Sequence, residues 1–209
     1  MSARERIGSA RLYLVCDARP RAFLEAALRG GVDVIQLRDK TLGVADLIAA
    51  AREFRAAADR FRALFVLNDR PDLVDACGAD GIHVGQDDDP PAIARAAVGP
   101  DRIVGRSTHA PDQAAAAEAD VDVDYLAVGP VHVTPTKPGR PAAGLDYVSH
   151  AAETVRKPWF AIGGLDAGNV HEVVARGARR IVVVRAITAA AEPETAARGL
   201  RAALDGGHG

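Results

Sequence analysis

The chain has 209 residues and a formal charge of −2, and it is 48% hydrophobic but only 4% aromatic. That length suits one domain, 1–209, near the lower end of what an eight-unit β/α barrel needs. The near-neutral balance, with arginines spread along the chain, offers no basic stripe for nucleic acid. The first apolar run, Leu12 to Cys16, is too short for a signal-peptide core or a membrane span. Cys16 and Cys77 lie far apart, without CxxC or zinc spacing, and read as packing residues. A soluble, cytoplasmic protein with neither a nucleic-acid nor a membrane partner is expected.

Residues 1–10 are polar and charged, and are expected to be flexible or peripheral, as is the tail 205–209. Between them, short β-branched or apolar runs alternate with alanine-rich helical stretches, the pattern of a parallel sheet. Eight strands are predicted: Leu12 to Cys16, Val32 to Leu37, Ala63 to Leu67, Gly81 to Val84, Ile103 to Gly105, Tyr125 to Val128, Trp159 to Ile162 and Arg180 to Val184. Pro20, Pro71, Pro90, Pro111 and Pro193 mark helix starts, and Gly30, Gly78, Gly99 and Gly177 mark helix ends. Eight such pairs favour an α/β fold closed as a single (β/α)₈ TIM barrel, with a doubly wound sheet as the alternative. The longest irregular stretch, Gly129 to Leu145, holds four prolines and three glycines and reads as a lid.

In a barrel enzyme the chemistry sits in the loops after the strands. The second strand runs into Gln36-Leu37-Arg38-Asp39-Lys40, and alternation puts Gln36, Arg38 and Lys40 on one side, inward or toward the mouth. Two cations and an amide there suit a phosphorylated ligand, although an Arg38–Asp39 surface pair beside a solvated lysine fits too. The third strand ends in Asn68-Asp69 and the fourth in Gly85-Gln86-Asp87-Asp88-Asp89. Adjacent strand ends lie about 4.8 Å apart, so Asp69 and Asp88 can share one hard cation such as Mg²⁺. Alternatively both cap the helices that start near Pro71 and Pro90.

Ser107, after the fifth strand, can bond a ligand or cap the next helix. Beyond the sixth strand, Thr134, Thr136 and Lys137 offer donors to a phosphate or carboxylate. Gly163-Gly164 after the seventh strand and Val184-Arg185-Ala186 after the eighth occupy the loops where many barrels hold a phosphate. Four histidines, His83 in a strand, His150 and His171 on helices and His208 in the tail, read as non-catalytic. His109 and His132 lie nearer the mouth, but neither accompanies a Ser or Cys nucleophile motif.

Together these motifs resemble the thiamine-phosphate synthase (thiamine-phosphate pyrophosphorylase) family. The resemblance runs from Leu12-Tyr13-Leu14-Val15 through Gln-Leu-Arg-Asp-Lys, Asn-Asp, Gly-Ile-His-Val-Gly-Gln-Asp-Asp, Gly-Pro-Val with Thr-Pro-Thr-Lys, and Ile-Gly-Gly to Val-Arg-Ala-Ile. It implies a pyrimidine diphosphate site at Gln36, Leu37, Arg38, Asp39, Lys40, Asn68, Ser107 and Lys137, with Mg²⁺ held by Asp69 and Asp88. It implies a thiazole phosphate site at Thr134, Pro135, Thr136, Gly164, Val184 and Arg185. Arg38, Lys40, Ser107 and Lys137 are the expected catalytic residues. The implied reaction joins 4-amino-5-hydroxymethyl-2-methylpyrimidine diphosphate to a thiazole phosphate, carboxylated or not, releasing diphosphate. Two departures stand out: His132-Val133, where the family often has an aromatic residue and then a proline or small residue, and Arg185, where many members have serine. A thiazole tautomerase on a similar barrel and a non-catalytic precursor-binding barrel are the rival readings. A homo-oligomer is compatible with the sequence.

Overall fold

In a computed structural model, which describes residues 1–134 and 141–206, eight parallel strands close into a barrel in the order β1 to β8. The chain runs α1 (Ala3–Ser9), β1 (Leu12–Cys16), α2 (Arg21–Arg29), β2 (Val34–Leu37), α3 (Val44–Phe61), β3 (Leu64–Asn68), a 3₁₀ turn (Pro71–Leu73) and α4 (Val74–Cys77). It continues through β4 (Gly81–Val84), α5 (Pro91–Val98), β5 (Ile103–Thr108), α6 (Pro111–Ala119), β6 (Tyr125–Val128) and α7 (Gly144–Thr154). The remainder is β7 (Trp159–Ile162), α8 (Val170–Ala175), β8 (Ile181–Val183), α9 (Arg185–Thr188) and α10 (Pro193–Gly206). Among the described residues, no helix is long and apolar enough to cross a membrane.

Strand alternation divides the apolar side chains into two layers. Outward residues such as Leu14, Ile35, Leu37, Phe65, Ile82 and Leu126 pack against the helices. Inward residues fill the lumen, where the rings of Tyr13, Tyr125 and Phe160 lie with centroids no more than 6.1 Å apart. The near-continuous apolar runs of the strands follow from this burial on both faces.

Carboxylates at the amino ends of the strands hold the bottom of the barrel. Asp33 accepts from the backbone N–H groups of Arg11 (2.8 Å) and Leu12 (3.0 Å) and pairs with Arg201. Asp80 accepts from Phe65 N–H (2.8 Å) and pairs with Arg55. Asp124 accepts from Val104 N–H (2.8 Å) and pairs with Arg95 and Arg4. Each joins one strand start to its neighbour, which is a structural task.

The sequence expectation of a flexible or peripheral start needs correction. Residues Ala3–Ser9 form a helix with a complete capping box between Ser2 and Glu5, and Ile7, 1% exposed, plugs the lumen floor. A single buried isoleucine, worth about 1.5–3 kcal/mol, anchors an otherwise polar segment, so the signal was one residue wide. In the tail, Asp205 and Gly206 complete α10, and 207–209 lie outside the described residues.

β5 also differs: it extends through Thr108 rather than stopping at Gly105. Gly105 marks a close approach and not a strand end, because a Cβ there would lie 2.1 Å from the Tyr125 ring and 2.5 Å from His83. β2 starts two residues later than predicted, at Val34, because Asp33 turns its carboxylate to the β1 start.

Candidate active site

The carboxyl ends of the strands open into two adjoining cavities. One, of about 270 Å³, is polar and charged and lies over β2 to β5; Arg38, Lys40, Asn68, Asp69 and Asp88 line it. The other, of about 330 Å³, is mostly apolar and lies over β5 to β8; Ala127, Ile162, Val182 and Val184 form its walls, with Gly163, Gly164, Thr134 and Arg185 also lining it. Ser107 and His109 border both.

In the charged cavity, Lys40 Nζ lies 2.9 Å from Asp69 Oδ2. Asp69 sits in the left-handed region at φ 60° and its N–H donates to the carbonyl of His83 (3.0 Å), which ties the β3 exit to β4. Asp88 Oδ2 accepts from Gly85 N–H at 2.7 Å. Burial, and the Asp69 carboxylate within hydrogen-bonding range, push the Asp88 carboxyl above its ordinary value. Neither carboxylate caps a helix: Arg70 and Pro90 occupy the N-cap positions, without side-chain capping bonds. Two carboxylates brought together beside Arg38 and Lys40 fit a hard divalent cation that takes its remaining ligands from water and phosphate. No group of three or more His, Cys, Asp or Glu side chains suited to a metal occurs among the described residues.

The Gln36-to-Lys40 segment separates into distinct tasks. Arg38 and Lys40 face the cavity, and Arg38 makes no ion pair among the described residues. Gln36 is 3% exposed and points into the lumen, donating to Tyr13 Oη at 2.5 Å. Leu37, 1% exposed, packs its side chain in the outer helix–sheet layer. Asp39 shapes the turn, accepting from Thr41 N–H (3.0 Å) and Thr41 Oγ1 (2.7 Å), bonds that hold its carboxyl below the ordinary range. The structure therefore brings Arg38 and Lys40 to the mouth and keeps the Leu37 and Asp39 side chains away from it.

Ser107 lies within β5, where its hydroxyl meets His83 Nε2 at 2.9 Å; α6 takes Ala110 as its N-cap, so Ser107 is not a cap. Gln86 Nε2 donates to the Ser107 carbonyl at 2.6 Å. Next to it, Arg106 points outward and donates to the Gly85 carbonyl (2.6 Å), holding the Asp87–Asp89 turn. The sequence places His109 near the mouth, and it lines both cavities; His83, read there as a non-catalytic strand residue, and Gln86, given no role, line the charged one. His83 is two positions, and so one alternation, before the mouth residue Gly85, a spacing that marks it as inward. His109 follows Ser107 by two residues and reaches the Gly129 carbonyl through Nδ1 at 2.5 Å.

At the apolar cavity the Gly129-to-Leu145 stretch is pinned at both described ends. Val131 and His132 N–H groups donate to the Ile162 and Gly163 carbonyls (2.8 and 3.0 Å), and Ala143 N–H donates to Pro130 (2.7 Å). Thr134 reaches the cavity, while Pro135, Thr136 and Lys137 lie outside the described residues. Gly163 and Gly164 have φ of 111° and 66°, and a Cβ on either would meet Pro130 at 2.5 Å or His132 at 2.8 Å. These two glycines let the turn close against the segment after β6. Of the two departures, His132 lies 3.6 Å from Glu172 while Val133 is 76% exposed; Arg185 is the first residue of α9, exposed at the cavity rim.

A closed eight-stranded parallel barrel whose carboxyl face opens into a charged and an apolar cavity has the architecture of the TIM-barrel enzymes. The sequence pattern of the thiamine monophosphate synthase family matches residues 12–187. The chain is 53% identical over 207 residues to the thiamine-phosphate synthase of Thermobifida fusca, covering 96% of this chain and 95% of that one. It is 54% identical over 204 residues to the thiamine-phosphate synthase of Thermus thermophilus, covering 94% and 98%. The thiamine phosphate pyrophosphorylase structure from Pyrococcus furiosus superposes with a TM-score of 0.88 at 29% identity, covering 97% of this chain and 99% of that one. The chain belongs to the thiamine monophosphate synthase family, and is a transferase of thiamine biosynthesis.

Proposed function

We propose that this enzyme joins 4-amino-5-hydroxymethyl-2-methylpyrimidine diphosphate to a 4-methyl-5-(2-phosphooxyethyl)thiazole, giving thiamine phosphate and diphosphate. The observation that carries the reading is the division of the mouth: a charged cavity suited to diphosphate abuts an apolar one suited to a small heterocycle with a phosphate tail.

Arg38 and Lys40 bind and neutralise the diphosphate, and Lys137, beyond the described residues, adds a third cation. Asp69 and Asp88 would hold Mg²⁺, which when bound offsets charge on the departing diphosphate. Departure of diphosphate leaves a methylene cation that the electron-rich aminopyrimidine stabilises. The thiazole nitrogen, held in the apolar cavity, attacks with its lone pair. That nitrogen carries no proton, so no general base is required, and pre-organised charge is the main catalytic device. Gly163 and Gly164 allow the backbone to approach the thiazole phosphate, and Arg185 supplies a cation beside them.

Incubating the purified protein with both substrates and Mg²⁺ tests the reading: thiamine phosphate and diphosphate should appear in equal amounts. A tautomerase or a carrier would form neither.

A further inference from the structure

The lumen beneath the mouth holds a chain of polar groups that the proposed chemistry does not use. Gln36 Nε2 donates to Tyr13 Oη at 2.5 Å, Tyr13 Oη lies 3.0 Å from Tyr125 Oη, Tyr125 Oη lies 3.1 Å from His83 Nδ1, and His83 Nε2 lies 2.9 Å from Ser107 Oγ. Tyr13 and Tyr125 are buried, at 1% and 0% exposure, and Gln36 and His83 nearly so. The barrel register makes room for this chain. His83, Gly105 and Tyr125 stand opposite one another on β4, β5 and β6, and the missing Cβ of Gly105 lets the histidine and tyrosine meet across the middle strand.

Burial drives both tyrosine pKa values upward, so each keeps its proton and must place one O–H hydrogen. Tyr13 receives a hydrogen from Gln36, and a chain that continues in that direction passes its own to Tyr125. The Tyr125 hydrogen then goes to His83 Nδ1, which has to present a lone pair. In a chain of that direction the ring proton of His83 is on Nε2 and is donated to Ser107 Oγ, which leaves the Ser107 hydrogen to point elsewhere. Ser107 borders both cavities. A lumen otherwise filled by Val34, Leu64, Val66 and Phe160 has no packing need for five polar groups in series, and a satisfied chain of this kind fixes one geometry.

We infer that Tyr13, Tyr125 and His83 are positioning residues that hold the Ser107 hydroxyl as a hydrogen-bond donor at the junction of the two cavities. Resting on the proposed function, the acceptor is a lone pair of the aminopyrimidine ring or its ester oxygen. The relay thereby selects a substrate that presents an acceptor at that point.

Two measurements test this. In protein labelled with ¹⁵N-histidine, the His83 resonances, assigned by difference from His83→Gln, should report an unprotonated Nδ1 and a protonated Nε2. The opposite tautomer overturns the relay. In steady-state kinetics, Tyr125→Phe keeps the ring but removes the link; it should lower kcat/KM for the pyrimidine diphosphate about tenfold, the scale of one neutral hydrogen bond, with the KM for thiazole phosphate unchanged. In a Ser107→Ala background the same substitution should cost nothing further. Equal losses with and without the Ser107 hydroxyl would make Tyr125 merely structural and overturn the inference. If Tyr125→Phe does not fold, the wild-type tautomer decides alone. If the wild type forms no thiamine phosphate, the functional reading fails, and the tautomer still decides the relay.

Discussion

The two ends of the barrel use the same residue type for opposite purposes. At the amino ends, Asp33, Asp80 and Asp124 each accept a backbone N–H and pair with arginine, so their charge is consumed within the fold. At the carboxyl ends, Asp69 and Asp88 face each other, with the exposed Lys40 paired to Asp69, and burial together with the Asp69 carboxylate raises the Asp88 carboxyl. A carboxylate that stabilises its own protein is surrounded by its partners. Under the proposed function, Mg²⁺ would offset the like charges of Asp69 and Asp88. The usual separation of stability and catalysis between the two faces of this fold is here visible in how aspartates are satisfied.

That contrast can be broken by substitution. The largest effect is expected from Asp69→Asn, which suits the left-handed backbone there, and from Lys137→Ala, each of which should slow the chemical step about 10²–10³-fold, the scale of losing one pre-organised charge stabiliser. Melting temperature should hardly change; near-normal turnover in both would remove the charged cavity from the mechanism. Asp124→Asn should do the reverse. Breaking its buried pair with Arg95, whose side chains are 11% and 14% exposed, should cost about 3–5 kcal/mol in denaturant unfolding, with the KM values of the surviving folded enzyme unaltered. Gly164→Ala sharpens the comparison within the mouth. Its φ of 66° and the 2.8 Å approach to His132 predict a loss of about 1–3 kcal/mol and a raised KM for thiazole phosphate, with the pyrimidine diphosphate KM unaffected. The smallest effect belongs to Val121→Ser: this side chain is 92% exposed, and unfolding should move by less than about 0.5 kcal/mol.

How much of this was legible depended on whether the signal was periodic. Strands buried on both faces give apolar runs that no surface loop imitates, so all eight were found, and eight parallel units close naturally. Residues whose role depends on a neighbouring strand were harder. Gly105 looks like a terminator in one dimension, whereas in three it is the gap through which Tyr125 reaches His83. The helix Ala3–Ser9 was hidden because only Ile7 is buried. At the mouth, strand-end position was enough to select Arg38, Lys40, Asp69, Asp88 and Ser107, and the family resemblance added Asn68; the structure gathers all six into one cavity. Strand parity put Gln36 inward, as found, but was not carried to Leu37, whose side chain packs outward, or to His83, whose ring turns into the lumen.

The central claim is that the charged and apolar halves of the mouth bind different phosphorylated partners. Calorimetric titration of magnesium diphosphate and of the thiazole phosphate onto Arg38→Ala and Arg185→Ala tests it directly. Arg38→Ala should weaken magnesium diphosphate at least about tenfold, the scale of a lost charge-assisted contact, and leave thiazole phosphate binding as it was; Arg185→Ala should do the converse. Both variants weakening both ligands alike would contradict the division.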